Sequence, residues 1–166
     1  YHGMGQRERL LLQIAVLIHA CGKFISMKNS NECGYTLIMS TEIIGLSHLE
    51  REIIANVVRY NIRDFDYDMM QLETEAGQDL AGVSDRTAIT ILIAKLTAIL
   101  RLANSMDKTH KSKLIDCRMA VREGQLVITT GYKGDLALES ASFEQKAAFF
   151  EEIFGIRPVL KQKRRV

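Results

Sequence analysis

A single proline, no tryptophan and only three cysteines leave this 166-residue chain few rigid turns and no disulfide framework. Cys21, Cys33 and Cys117 share no metal-type or disulfide-type spacing, so they read as reduced thiols of a cytoplasmic protein. Of these, Cys21 and Cys117 read as small buried hydrophobes. Excess charge is missing as well. A formal net charge of +2 is too small to point to a specific nucleic-acid partner, although Lys161, Lys163, Arg164 and Arg165 concentrate positive charge in what reads as a solvated tail. There is no uncharged apolar run of about 18 residues, the length a membrane span needs, and no signal-peptide pattern. The expectation is a soluble protein without a membrane partner. Because Tyr1 is not an initiator Met, the numbering is expected to begin inside a longer chain.

What is present is apolar content of 47%, enough at this length for one sizeable core, or one core with a small appendage. From Gln6 to Cys21, Leu10, Leu11, Ile14, Ala15, Leu17 and Ile18 recur at helical spacing, and Gly22 supplies the stop. Met27 to Gly34 reads as a polar loop and Tyr35 to Ile44 as a short helix broken by Gly45. Ser47-His48-Leu49-Glu50 has the hydroxyl and carboxylate of a capping box, which starts a helix at His48. Its buried face would carry Leu49, Ile53, Ile54, Val57 and Val58, with Arg51, Glu52, Arg59 and Arg63 pointing elsewhere. Asp64 to Gln78 reads as a loop with one short helix. Ser84-Asp85 then caps the longest helix, the expected core helix, whose Ile89, Leu92, Ile93, Leu96, Leu100 and Ala103 form one face as far as about Ser105.

Beyond Lys113 the period changes from helical to alternating. Cys117, Met119 and Val121, a turn at Glu123-Gly124, then Leu126, Ile128 and Thr130 predict a β-hairpin. Leu136 to Glu139 would add a strand, Ser142 to Phe154 an amphipathic helix, and Ile156 to Gln162 a last strand that Pro158 confines to an edge. The fold class is therefore mainly α: a helical domain over residues 1–113, then a small α+β subdomain over 114–166 (hairpin, helix, edge strand).

Four segments also carry a family signature: Arg7-Glu8-Arg9-Leu10-Leu11-Leu12, His19-Ala20-Cys21-Gly22-Lys23-Phe24-Ile25-Ser26, Glu42 to Ala55, and Ala98-Ile99-Leu100-Arg101-Leu102-Ala103-Asn104. In this order and spacing they resemble the C-terminal HD-like region of the Ppx/GppA family of exopolyphosphatases and guanosine pentaphosphate phosphatases. The match is close over residues 6–113 and looser in the tail. The resemblance implies a degenerate HD-domain-like helical bundle. It further implies partners: N-terminal actin-like domains of the same chain that hold the phosphohydrolase site, polyphosphate or another phosphoanion, and a second copy in a homodimer. A divalent metal would belong to the full-length parent and no cofactor to this part.

Residue by residue, the family pattern has His-Asp where this chain has His19-Ala20, commonly Asp at Asn104, and in many relatives His at Ser30 and Cys33. An HD phosphohydrolase needs imidazoles and carboxylates around one or two cations that activate water and polarise the phosphoryl oxygen. Ala20 cannot coordinate and Asn104 offers a neutral carbonyl, so the metal positions His19, Ala20, Asn104 and Asp107 read as degenerate, with Asp107 one turn from Asn104 as the one replacement donor. His19 is expected to bond a backbone carbonyl in the core, His48 to decorate the first turn of its helix, and Lys23 to neutralise a helix end.

No catalytic residue is assigned. Phosphate contact asks only for cations around a groove, and the candidates are Lys23, Arg51, Arg59, Arg63, Arg101, Lys108, His110 and Lys111, with Lys113 beside them. The plainer account makes them surface charges balanced by Glu42, Glu50, Glu52 and Asp107. Two rivals stay open: a residual metal phosphohydrolase using His19, Asn104 and Asp107, and a purely structural dimerisation module. A guanosine tetraphosphate site is neither supported nor excluded.

Overall fold

A computed structural model describes residues 3–67, 70, 72 and 86–163. The chain divides into two compact units, one ending at Leu100 and the other beginning at Arg101. The first holds α1 (Gln6–Ile18), a short 3-10 helix (Cys21–Phe24), α2 (Ser30–Met39), α3 (His48–Tyr60) and most of α4 (Arg86–Met106). The second holds β1 (Cys117–Arg122), β2 (Gln125–Thr130), α5 (Ala137–Phe154) and β3 (Arg157–Gln162). The molecule is thus mainly α with a small α+β part. The expected Ser84-Asp85 cap and most of Asp64 to Gln78 lie outside the described residues.

Helix α3 starts where its capping box requires. The Glu50 amide donates to Ser47 Oγ at 3.2 Å and the Ser47 amide to Glu50 Oε2 at 2.9 Å, so two first-turn N–H groups are satisfied reciprocally. Leu49, Ile53, Ile54, Val57 and Val58 are buried as the spacing predicts. The polar side is narrower than expected: Arg51 and Arg59 are half-buried and Arg63 exposed, but Glu52 is fully buried, along with Ala55, Asn56 and Tyr60, because α1 and α2 both pack against this helix. A helix covered on several sides keeps only a narrow solvent face for its polar residues. Helix α3 is therefore the centre of the first unit, joined by Ile89, Ile93, Leu96 and Leu100 of α4. Ala103, expected on the apolar face of α4, is exposed. By length and composition α4 is apolar enough to cross a membrane, yet half of that span is buried, as suits a core helix.

Helix α2 spans Ser30–Met39, so five residues expected in a loop are helical and Ile44 lies beyond its end. Asn31 and Gly34 are poor helix formers, but the close fit of Gly34 to α3 overrides propensity: a Cβ there would sit 3.1 Å from Val58 Cγ1. The helix closes early because Ser40 and Thr41 hydroxyls both donate to the Leu37 carbonyl, at 3.1 and 2.7 Å.

In the second unit, Glu123 and Gly124 both take positive φ, 50° and 72°, the backbone of a type I′ turn, and β1 pairs antiparallel with β2 as the alternation predicts. Strand β3 returns parallel to β2, giving the order β1-β2-β3 with Pro158 in an edge strand. The strand expected at Leu136 to Glu139 is instead the start of α5. The Asp135 carboxylate accepts the Ala137 amide at 2.8 Å and the Ser140 amide bonds the Leu136 carbonyl at 2.7 Å, which commits these residues to a helical turn. The helix ends on Gly155 in the left-handed region (φ 67°), whose amide bonds the Glu151 carbonyl.

Candidate functional site

The segment after α1 is built for packing. His19 caps the helix, and its Nδ1 donates to the Val16 carbonyl at 2.7 Å; the expected bond is present, but the ring is half-buried and not in the core. Gly22 does not end α1, which stops at Ile18. A Cβ on Gly22 would lie 1.9 Å from the Ser30 carbonyl oxygen and 2.5 Å from the Gly34 nitrogen, so only glycine lets the 3-10 helix reach α2. Cys21 is half-buried against Gly34, and burial pushes its thiol up from its ordinary pKa. Cys117 is half-buried too, against the expectation of full burial for both.

His19 Nδ1 donates to a carbonyl, Ala20 has no side-chain donor atom, and Asp107 Oδ1 accepts the Ser112 amide at 2.8 Å. Among the described residues no three His, Cys, Asp or Glu side chains gather in one place.

The candidate cations separate by what holds them. Arg59 and Arg63 converge on Glu32, with Arg59 Nε and Arg63 Nη1 on Oε1 at 2.9 and 3.0 Å and Arg59 Nη2 on Oε2 at 2.8 Å. Burial pushes the Glu32 carboxyl up, but the two guanidiniums outweigh it and hold it below the ordinary range. Arg59 also lies over the Tyr35 ring, 4.9 Å from its centroid. An internal carboxylate therefore occupies the fork that a phosphate would use. Arg51 donates to the Thr41 carbonyl at 2.9 Å and to His48 Nδ1 at 2.8 Å, with His48 in the first turn of α3 as expected. Arg101 is buried with its guanidinium 4.6 Å from the Phe149 ring centroid. Lys23 is exposed at the end of the 3-10 helix. Glu32 was not among the expected balancing acids. Its partners lie 27 and 31 residues away, so no local spacing pairs them. Glu50 is likewise taken by Arg7, at 2.5 and 2.6 Å.

Lys108, His110 and Lys111 differ from the rest. They lie in the loop after α4, are exposed, and have no ion-pair partner among the described residues. The loop itself is held firmly from within the second unit. Thr109 Oγ1 donates to Glu139 Oε1 at 2.5 Å, while Lys113 Nζ donates to Glu139 Oε2 at 3.1 Å and to the Asp135 carbonyl at 2.9 Å. Glu139 is fully buried in α5. His110 and Ser112 both take φ 52°, a conformation that costs non-glycine residues energy and persists only where neighbours enforce it. Thr109 and Lys113 thus anchor the loop inward, while Lys108, His110, Lys111 and Ser112 are exposed. Sequence reasoning misses the Thr109–Glu139 contact, because Leu136 to Glu139, which hold the first residues of α5, read as a strand.

The Thr109 hydroxyl, then the Lys113 ammonium, hold the Glu139 carboxyl below its ordinary range. A depressed carboxyl contributes stability above the unfolded-state pKa of about 4.3 and loses it as pH falls through the lower folded value. The difference in thermal midpoint between the native chain and Glu139→Gln is therefore expected to be full above about pH 5 and to shrink progressively below about pH 4. Melting curves across this range check it; a difference that grows on acidification would contradict the assignment.

No curated protein matches the chain. Residues 2–147 match the family model described as Ppx/GppA phosphatase, domain III, an extent that runs past the four signature segments through the hairpin and into α5. The match covers most of the chain, which belongs to the Ppx/GppA phosphatase family.

Proposed function

We propose that this chain is a non-catalytic, degenerate HD-like domain that binds polyphosphate or a related phosphoanion and self-associates. Hydrolysis would belong to actin-like domains elsewhere in the same polypeptide, with any divalent metal there. The observation that carries the reading is the anchored loop with Lys108, His110 and Lys111 exposed and unpaired by carboxylates among the described residues. A flexible polyanion gains from several cations presented together at little ordering cost, and such binding weakens with salt. Arg51, Arg59, Arg63 and Arg101 enter as supports of the two units, since each already bonds or stacks within its own unit.

Titrating the chain with polyphosphate at low and high salt tests this. Saturable binding that weakens with salt is expected, without release of orthophosphate when magnesium is present. At about 1 kcal/mol per charge in water, the Lys108→Ala/Lys111→Ala pair should weaken binding about thirtyfold. Arg59→Gln should leave it unchanged once folding is verified. Loss of binding in Arg59→Gln with none in the lysine pair would move the site to α3, and no saturable binding at either salt would leave a purely structural module.

A further inference from the structure

Strand β3 closes one edge of the sheet with Pro158, which has no N–H to offer a further strand. The other edge, β1, carries no such block, and among the described residues it pairs with β2 alone. Its side chains are also uncovered on the wrong face. Cys117, Met119 and Val121 lie opposite Thr130, Ile128 and Leu126, on the side of the sheet where Ile128 is 1% exposed. Directly opposite Ile128, Met119 is 61% exposed, and Val121 and the preceding Ile115 are exposed too. The helix of this unit packs on β3, at the far side of the sheet from β1. An apolar half-face beside an open edge is a template for another strand.

We propose that a second copy of this chain supplies that strand, with β1 antiparallel to β1 of the partner subunit and Met119 opposite Met119 of the partner subunit. This names the interface for the self-association proposed above and rests on that reading. Residues directly opposite in an antiparallel pair share a face, so a two-fold pairing must centre on a residue. Only centring on Met119 or on Ala120 pairs five residues of β1, against three or fewer for any other residue of the strand; centring on Ala120 sets Arg118 against Arg122 of the partner subunit, twice by symmetry, and like charges directly opposite are unfavourable. Centring on Met119 avoids this. It puts Cys117 opposite Val121 of the partner subunit on the apolar face and Arg118 opposite Ala120 of the partner subunit on the other. It also brings Arg122 opposite Asp116 of the partner subunit, twice by symmetry. Asp116 and Arg122 are both exposed and have no ion-pair partner among the described residues. The charges therefore select the same register as the apolar face.

Sedimentation equilibrium of the native chain and three variants tests the register. The native chain is expected to dimerise, with Arg122→Asp and Asp116→Arg each weakening the dimer about tenfold and the double variant recovering the native constant. A dimer indifferent to either single change, or one that the double variant fails to restore, overturns the β1 register while leaving self-association standing. A monomer at every concentration overturns both.

Discussion

Replacing Gly22 by alanine is expected to cost this protein about 3 kcal/mol or more, a large share of the stability of an ordinary domain. The new methyl group would meet the Ser30 carbonyl oxygen at 1.9 Å and the Gly34 nitrogen at 2.5 Å. Both are backbone atoms of α2, so no side chain can turn away to make room. Either the 3-10 helix lifts off α2 or α2 shifts on Val58 of α3. Gly34→Ala is the control. Its methyl group would crowd Val58 Cγ1, at 3.1 Å, and meet Gly22 N and Cys21 Sγ at the ordinary contact distances of 3.7 and 3.8 Å, while alanine gains about 1 kcal/mol of helix propensity over glycine, so the net change should stay within about 1 kcal/mol. Urea unfolding of the two variants separates these cases. Equal destabilisation would mean that the 3-10 helix is not held against α2 as described.

Ile54→Ala should be comparably damaging, at about 3 to 4 kcal/mol, whereas Ile54→Val should cost about 1 kcal/mol. Ile54 has no exposed surface and belongs to a helix whose neighbours on either side, Ile53 and Ala55, are also buried. A cavity there cannot be filled by solvent and is walled by other helices, so little relaxation is available. The comparison helix is α4, where Ile91 is 47% exposed. Ile91→Ala should change the unfolding free energy from denaturant titration by less than about 0.5 kcal/mol. A chain in which the two alanine variants unfold alike would have α3 at the surface, contrary to the burial of Glu52 and Asn56.

Where local signals were strong, the fold was legible. The Ser47 and Glu50 box set the start of α3, and the period-two alternation with Glu123-Gly124 set the hairpin and its register. Each depends on atoms within a few residues, and a short stretch contains all the information. Two boundaries differ from the sequence reading for different reasons: Ser30 to Gly34 reads as loop but Gly34 fits against Val58 of another helix, whereas Leu136 to Glu139 reads as strand although a local bond from the Ala137 amide to Asp135 turns the backbone into a helix. The candidate site was half legible. All eight cations were visible as residue types, but their availability was not, because Glu32 reaches Arg59 and Arg63 from another helix and Glu139 reaches the loop from α5.

The sequence by itself determined the family and the mainly helical class, since these rest on residue identity and spacing. Only the tertiary structure decided what Gly22 is for, which arginines are already satisfied, and which basic side chains are exposed without an ion-pair partner among the described residues. Those properties belong to pairs of atoms far apart in the chain, and a Coulomb or steric term between two groups exists only once folding has set the distance between them.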